Sequence, residues 1–287
     1  MLAVKFNNVK KQLGDFELNI PSLGIQKGYI TGFIGQNGAG KTTTMKLMLD
    51  MIRMDTGDIE IEGLNIKVAP EKIKAKIGYV GEPTGYPEES RLKHIKKMVA
   101  PFYEAWDENL FKKYIAYFSL NLDKKYGELS TGQKKQFDLV MALSHKPELI
   151  LLDEPTAGLD PVVRNEILEL LMLHMQDEKV TIFYSTHITS DLEKACDYLV
   201  YIQKGKIIMN VEKDELLSQY CIVRGAKELF NDEEIKKELL GVRQTSLGGE
   251  ALVKNRKIAE ELFGDEVKYS KPTIEEIMVF LAEERRF

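Results

Sequence analysis

Residues Gly35-Gln36-Asn37-Gly38-Ala39-Gly40-Lys41-Thr42-Thr43 have the composition of a loop that holds phosphate. They satisfy the pattern G-x-x-x-x-G-K-[ST], follow an apolar run and open a segment of helical period. Glycines let such a loop curl so that its N–H groups point inward, and the start of the next helix adds positive potential. Lys41 has the reach for β- and γ-phosphates, Thr42 carries a hydroxyl for Mg2+, and Thr43 supports the α-phosphate. The competing reading, a structural glycine turn, does not account for the lysine and hydroxyls that follow it.

A second group of candidate residues lies downstream. Leu149-Ile150-Leu151-Leu152 reads as a strand buried on both faces, and it delivers Asp153 and Glu154 at its C-terminal end. Adjacent carboxylates there divide the work: Asp153 serves the metal, and Glu154 is the general base facing an attacking water. Another apolar strand ends in Tyr184-Ser185-Thr186-His187, which puts His187 where it can contact a γ-phosphate. His94, His145 and His174 read instead as surface or core-edge histidines.

These residues need a scaffold that aligns several strand ends. Strand-like runs occur at Val4 to Asn7, Phe16 to Ile20, Tyr29 to Ile34, Ile77 to Val80, Leu149 to Asp153, Thr181 to Ser185 and Leu199 to Gln203. They alternate with segments of helical period, the pattern of an α/β fold around a largely parallel sheet. Between about residues 84 and 143 no strand pattern appears, and Leu110, Phe111, Tyr114, Ile115 and Phe118 recur at helical spacing, so this stretch reads as a helical insertion. Met45, Met48, Met51 and Met54 form a stripe expected to pack a helix on the sheet. Residues 1–215 are expected to form the main domain. Residues 216–287 read as a small α+β appendage, with a strand over Tyr220 to Val223, a helix over Asp232 to Leu240 and a closing helix behind the capping box Thr273-Ile274-Glu275-Glu276.

Composition narrows the classes of function. The chain has 287 residues, 44% of them hydrophobic and 30% charged, enough for a sizeable core. A net charge of −5, with both signs mixed along the sequence, offers no footprint for nucleic acid. The longest apolar run, Ile277 to Ala282, is far shorter than the roughly 20 residues of a membrane-spanning helix. The N-terminus alternates like a strand and does not resemble a secretory signal, so a cytoplasmic location is expected. The two cysteines, Cys196 and Cys221, read as separate thiols.

A third element, Leu129-Ser130-Thr131-Gly132-Gln133, lies between the phosphate loop and the carboxylate strand. Together with Leu151-Leu152-Asp153-Glu154-Pro155, Ala157-Gly158-Leu159-Asp160 and His187, it makes the first 215 or so residues resemble the ATP-binding cassette (ABC) subunit of a transporter. The fold implied is a P-loop NTPase core of ABC type with a helical subdomain and the C-terminal α+β appendage. The resemblance makes ATP and Mg2+ the cofactors, Glu154 and His187 the catalytic pair, and residues 35–43 the ATP cradle. It also implies a head-to-tail dimer, in which Ser130, Thr131, Gly132, Gln133 and Asp160 contact ATP held by the other chain. Ser130 and Gly132 suit that role, since a hydroxyl and a glycine N–H at a helix start can bond phosphate oxygens.

The chain departs from the family pattern in places. Glu82 stands where a glutamine is usual, and its carboxylate is assigned to Mg2+ with Thr42 and Asp153. Thr131 replaces a glycine, and Gln136 stands where an arginine often follows. The aromatic that normally stacks on adenine aligns with Leu13, leaving Leu13 or Phe16 for that contact. The resemblance implies a separate transmembrane permease as partner, a second ATPase subunit as homodimer or paralogue, and a peripheral position on the cytoplasmic face of the membrane. It favours exporters of the ABC-2 type, including those of antibiotics and antimicrobial or cytolytic peptides, over an importer. A soluble ABC ATPase acting on ribosomes or DNA ends fits less well, because the chain has one phosphate loop and no long coiled coil.

Overall fold

The computed structural model describes residues 1–81, 85–176, 180–245 and 248–284. They fall into two compact units, one of Met1–Ile188 with Ala195–Asn210, the other of Thr189–Lys194 with Val211–Phe287.

The first unit begins with a hairpin, β1 (Leu2–Leu13) and β2 (Phe16–Gln26), followed by β3 (Ile30–Ile34), helix α1 (Lys41–Met48), β4 (Thr56–Ile61), β5 (Leu64–Asn65), α2 (Pro70–Lys74) and β6 (Ile77–Val80). Helices α3 (Leu92–Val99), α4 (Glu108–Tyr117) and α5 (Thr131–Leu143) come next. The chain then returns to the sheet through β7 (Leu149–Asp153), α6 (Pro161–His174), β8 (Thr181–Thr186), β9 (Tyr198–Gln203) and β10 (Lys206–Glu212); α7 (Thr189–Ala195), between β8 and β9 in sequence, falls in the second unit up to Lys194. The strands make one 10-stranded sheet in the order β5-β4-β1-β2-β10-β9-β3-β8-β7-β6.

That sheet has two characters. Strands β9, β3, β8, β7 and β6 pair in parallel, and β3, β7 and β8 are buried throughout, which suits their mainly apolar residues; Thr31, Thr181, Ser185 and Thr186 are buried with them. Strands β1, β2, β4 and β5 pair antiparallel; β1, β2 and β4 mix buried residues with half-buried or exposed ones, and both residues of β5 are half-buried. Strand β4 escaped the sequence reading because only Ile59 and Ile61 are apolar in it, set between Asp58, Glu60 and Glu62; both isoleucines are buried. The methionine stripe divides: α1 ends at Met48, so Met45 and Met48 are in the core, whereas Met51 is 57% exposed.

In α4 the helical spacing becomes a packed face. Phe111, Tyr114 and Ile115 are buried, and Asp107 caps the helix by accepting from the N–H groups of Asn109 and Leu110 at 2.9 and 3.0 Å. Just beyond α5, His145 is 3% exposed and stacks on the Tyr103 ring at 4.0 Å. Burial pushes its imidazole down to about 4 from an ordinary 6.5. The folded state therefore keeps His145 neutral while the unfolded chain takes up a proton below 6.5. Stability is complete above that pH and falls as pH drops toward 4, by at most about 3 kcal/mol from this residue. Thermal melts of the parent and of His145→Gln across this pH range should show the slope reduced in the variant.

The second unit contains α8 (Lys213–Gln219), β11 (Cys221–Gly225), α9 (Glu233–Lys236), β12 (Leu239–Thr245), β13 (Gly248–Val253), α10 (Arg256–Phe263), β14 (Lys268–Ser270) and α11 (Ile274–Glu284). Its antiparallel sheet runs β12-β13-β11-β14. The helix expected over Asp232 to Leu240 is cut short: Asp232 caps α9, which ends at Lys236, and Leu239 already pairs with Val253. The long-range pairing with β13 outweighs a local helical preference in this run of charged residues. The glycine-rich Gly248-Gly249 also lies in a strand, with Gly249 against the Phe230 ring, where a Cβ would come within 2.5 Å. The capping box forms, with Thr273 N–H donating to Glu276 Oε2 at 2.8 Å and Glu276 N–H to Thr273 Oγ1 at 3.1 Å.

Candidate active site

Strand register explains how distant residues meet. In the parallel half of the sheet Ile34 pairs with Thr186, Asp153 with Ser185, and Val80 with Leu152. The C-terminal ends of β3, β8, β7 and β6 therefore lie side by side along one edge. Each strand hands over to a candidate residue there: Gly35 after β3, His187 after β8, Glu154 after β7, and Gly81 just before Glu82. This is the edge at which open α/β sheets bind their ligands. Glu82 itself lies outside the described residues.

The loop from Gly35 to Gly40 runs from the buried β3 into α1 with Gly40 as N-cap. Gly40 has φ 113, and a Cβ on it would press on Leu18 at 2.9 Å and on the Phe16 ring at 3.0 Å. A Cβ on Gly35 would sit 2.6 Å from the Ile202 carbonyl oxygen. Both positions require glycine. The loop closes on itself through Ala39 N–H to Gln36 O at 3.1 Å, while Gln36, Asn37, Gly38 and Thr42 are exposed and Thr43 is half-buried. Lys41 is 6% exposed, and its ammonium donates to Gly35 O at 2.7 Å and Gln36 O at 3.4 Å.

Lys41, Glu154 and His187 form a connected cluster. Lys41 Nζ lies 3.2 Å from Glu154 Oε1, without hydrogen-bond alignment, so that attraction is Coulombic. Glu154 Oε2 is 2.8 Å from His187 Nδ1. Glu154 has φ 51, a left-handed conformation uncommon outside glycine, and its N–H donates to Ser185 O at 3.0 Å. Asp153 is 9% exposed, and Ser185 Oγ donates to its Oδ1 at 2.6 Å, leaving Oδ2 available to a further partner.

Ser130, Thr131, Gly132 and Gln133 open α5. Ser130 is its N-cap, with Gln133 N–H donating to Ser130 Oγ at 3.2 Å and Ser130 N–H to Gln133 Oε1 at 3.3 Å. Ser130 and Thr131 are exposed, so the Thr131 side chain is accommodated without displacing a neighbour. Among the described residues no hydrogen bond or ion pair joins 130–133 to the loop 35–43. Asp160 has a role within its own chain, accepting from Val162 and Val163 N–H at 3.0 and 3.1 Å as the cap of α6. Gln136, the replacement for a common arginine, is 5% exposed and donates to Glu166 Oε2 at 2.9 Å.

Leu13 and Phe16 face each other across the β1-β2 turn. Leu13 is 43% exposed, whereas Phe16 is half-buried beside Gly40. Two residues of the site were missed in the sequence. Ser185 was read only as part of a strand, and Lys135 was given no role in the site, yet Lys135 Nζ donates to Glu154 O at 2.6 Å and to Ala157 O at 3.2 Å. The signal for Lys135 was its position one helical turn beyond Thr131, on the face that carries the helix start.

Among solved structures, an ATP-binding subunit of an ABC transporter superposes with a TM-score of 0.66 and 26% identity, covering 75% of this chain and 92% of that one. A dimeric cassette in a post-hydrolysis state bound to ADP and Pi superposes with a TM-score of 0.64 at 21% identity, covering 73% and 98%, and shares the fold. The P-loop cassette architecture is thereby defined. A family model described as ABC transporter matches residues 18–157. The ABC transporter ATP-binding protein YtrB of Bacillus subtilis is 33% identical over 213 residues, 74% of this chain and 73% of that protein. The bacitracin transport ATP-binding protein BcrA of Bacillus licheniformis is 33% identical over 68% of this chain and 64% of its own length. The lantibiotic transport ATP-binding protein SrtF of Streptococcus pyogenes is 31% identical over 80% of this chain and 96% of its own length. The chain belongs to the ATP-binding, ATP-hydrolysing subunits of ABC transporters.

Proposed function

We propose that this chain powers an exporter of the ABC-2 type, with Glu154 as general base and with each ATP shared between the phosphate loop of one chain and the α5 start of another. The observation that carries the catalytic reading is the Lys41–Glu154–His187 cluster at the sheet edge, at 3.2 and 2.8 Å. Loop N–H groups and Lys41 bind the phosphates, and Glu154 takes the proton of a water directed at the γ-phosphate. His187 orients that carboxylate through Nδ1 and is placed to contact the same phosphate. Phe16, already against the loop, is the better of the two candidates for the adenine.

Thr42 and Asp153 fit Mg2+, which would help neutralise the charge on the phosphates. Both are hard oxygen donors, and the Ser185 hydrogen bond fixes the Asp153 carboxylate while leaving Oδ2 available. Among the described residues no cluster of three or more acidic, histidine or cysteine side chains could hold a metal. Mg2+ takes few protein ligands when phosphates complete its shell, so a hydroxyl and one carboxylate suffice. The Glu82 carboxylate remains assigned to the same ion.

The in-trans role of residues 130–133 is supported by the exposure of Ser130 and Thr131 and, among the described residues, by the lack of any hydrogen bond or ion pair to the chain's own loop. Asp160 contacts the same shared nucleotide through the oxygen not used in capping. No described helix is long and apolar enough to cross a membrane, which motivates a separate permease and a peripheral position on the cytoplasmic face. A cavity of about 350 Å3, bordered by Met51, Tyr79, Tyr86, Val99 and Tyr103, has room for one or two side chains projecting from a helix of that permease. Export of an antibiotic or peptide is favoured by the similarity to BcrA and SrtF, which are bacitracin and lantibiotic transport ATP-binding proteins. Mild-detergent purification of the tagged chain from its native cells should recover an integral membrane protein at near-equal stoichiometry; recovery of the chain alone with full turnover would overturn the transport assignment.

A further inference from the structure

We propose that Lys135 is a positioning residue that ties the start of α5 to the backbone of the general base, so that ATP bound on a second copy of the chain sets Glu154 in its own site. This rests on the in-trans reading of residues 130–133 given above.

The Lys135 ammonium lies across a tight turn. It donates to the carbonyl oxygen of Glu154 at 2.6 Å and to that of Ala157 at 3.2 Å, and the Glu154 carbonyl also accepts from Ala157 N–H at 3.3 Å. Both ends of the turn 154–157 are therefore held by one cation. On the other side, Glu154 N–H is held by Ser185 O at 3.0 Å. Between these two anchors Glu154 keeps φ 51, the conformation that aims its carboxylate at His187. A side chain in that backbone region persists only where its surroundings impose it.

The helix carrying Lys135 is well placed to transmit a displacement. Lys135 follows Thr131 by four residues and Gly132 by three, so all three share one face of α5. The Gly132 Cα also packs on the segment after the turn, where a Cβ would lie 3.2 Å from Val163 Cγ1. One helix thus exposes Ser130 and Thr131 at its start, packs Gly132 on the segment after the turn, and grips the 154–157 turn one turn further on. A lysine suits the grip, because an ammonium brings several donors to two carbonyls and its charge strengthens both bonds. Gln136 beside it does not share the task, since its amide is engaged with Glu166.

The test uses the full-length chain with Lys135→Met, which keeps the stem and removes the donors, and with Lys135→Arg, which keeps the charge. Lys135→Met should lower kcat for ATP hydrolysis about 10- to 100-fold with KM for ATP changed less than about twofold, the split expected from misplacing the base rather than weakening binding. Lys135→Arg should recover kcat to within about threefold of the parent, because it retains charged donors. Amide exchange at residues 156–159, followed by mass spectrometry, should accelerate in Lys135→Met and return toward the parental rate in Lys135→Arg. Unchanged kcat in Lys135→Met, or a lower melting temperature with kcat and KM both intact, overturns the proposal. If the parent itself hydrolyses no ATP, the catalytic reading fails separately. The exchange measurement still decides on Lys135, with unaltered protection at 156–159 in Lys135→Met counting against it.

Discussion

Glu154→Gln should lower ATP turnover by about 100- to 10,000-fold, the range over which a positioned general base contributes. The substitution preserves shape and can keep a hydrogen bond to His187 Nδ1, 2.8 Å from the native carboxylate, but an amide oxygen does not take the water's proton. ATP affinity should hold or rise. The native Glu154 Oε1 lies 3.2 Å from Lys41 Nζ, so the glutamine removes a negative charge that competes with phosphate for the same ammonium. Binding without cleavage then leaves two chains closed around intact ATP. Steady-state phosphate release and size-exclusion chromatography with ATP and Mg2+ check both halves. Turnover within about tenfold of the parent would remove Glu154 as the base, and a chain that stays monomeric with ATP bound would count against the shared site.

The loop 35–40 was legible because its demands are local. A left-handed φ at Gly40, no room for a Cβ at Gly35 and a helix start at Lys41 all fall within a few residues, so the sequence states them directly. The buried strands β3, β7 and β8 were legible for a related reason: each is a short, mainly apolar run that stops at the glycine or polar residues of the site. Strand β4 and the end of α9 were not, because their structure is decided by pairing with β1 and β13, and their own residues are mixed in character. Lys135 belongs to the same group. Its spacing from Thr131 is visible in the sequence, but its acceptors are main-chain carbonyls about 20 residues away, and carbonyls leave no mark in the side-chain pattern. Gln136 stands where an arginine often follows; the preceding residue, Lys135, carries a cation and holds the turn that bears the base.

Mixing two inactive variants should restore ATP binding in a closed dimer, and the arithmetic of the shared site makes the result decisive. Lys41→Ala removes the buried ammonium that the loop holds against Gly35 O at 2.7 Å, so that chain contributes no working phosphate loop. Gly132→Asp places a carboxylate at the start of α5, where a Cβ already meets Val163 Cγ1 at 3.2 Å and where negative charge would face the γ-phosphate. Each homodimer then has two defective sites. In a head-to-tail heterodimer both defects fall in one site, and the other is assembled from the intact loop of the Gly132→Asp chain and the intact α5 start of the Lys41→Ala chain. If the site were complete within one chain, both sites of the mixture would stay defective. Differently tagged chains, each also carrying Glu154→Gln to prevent turnover, should therefore co-purify with about one ATP per heterodimer, and either variant alone should retain no ATP-dependent dimer. Because Lys41 and Gly132 are each half of a site in this arrangement, rescue by mixing is the outcome that a self-contained active site does not produce, and its absence in an otherwise folded pair would return residues 130–133 to an intrachain role.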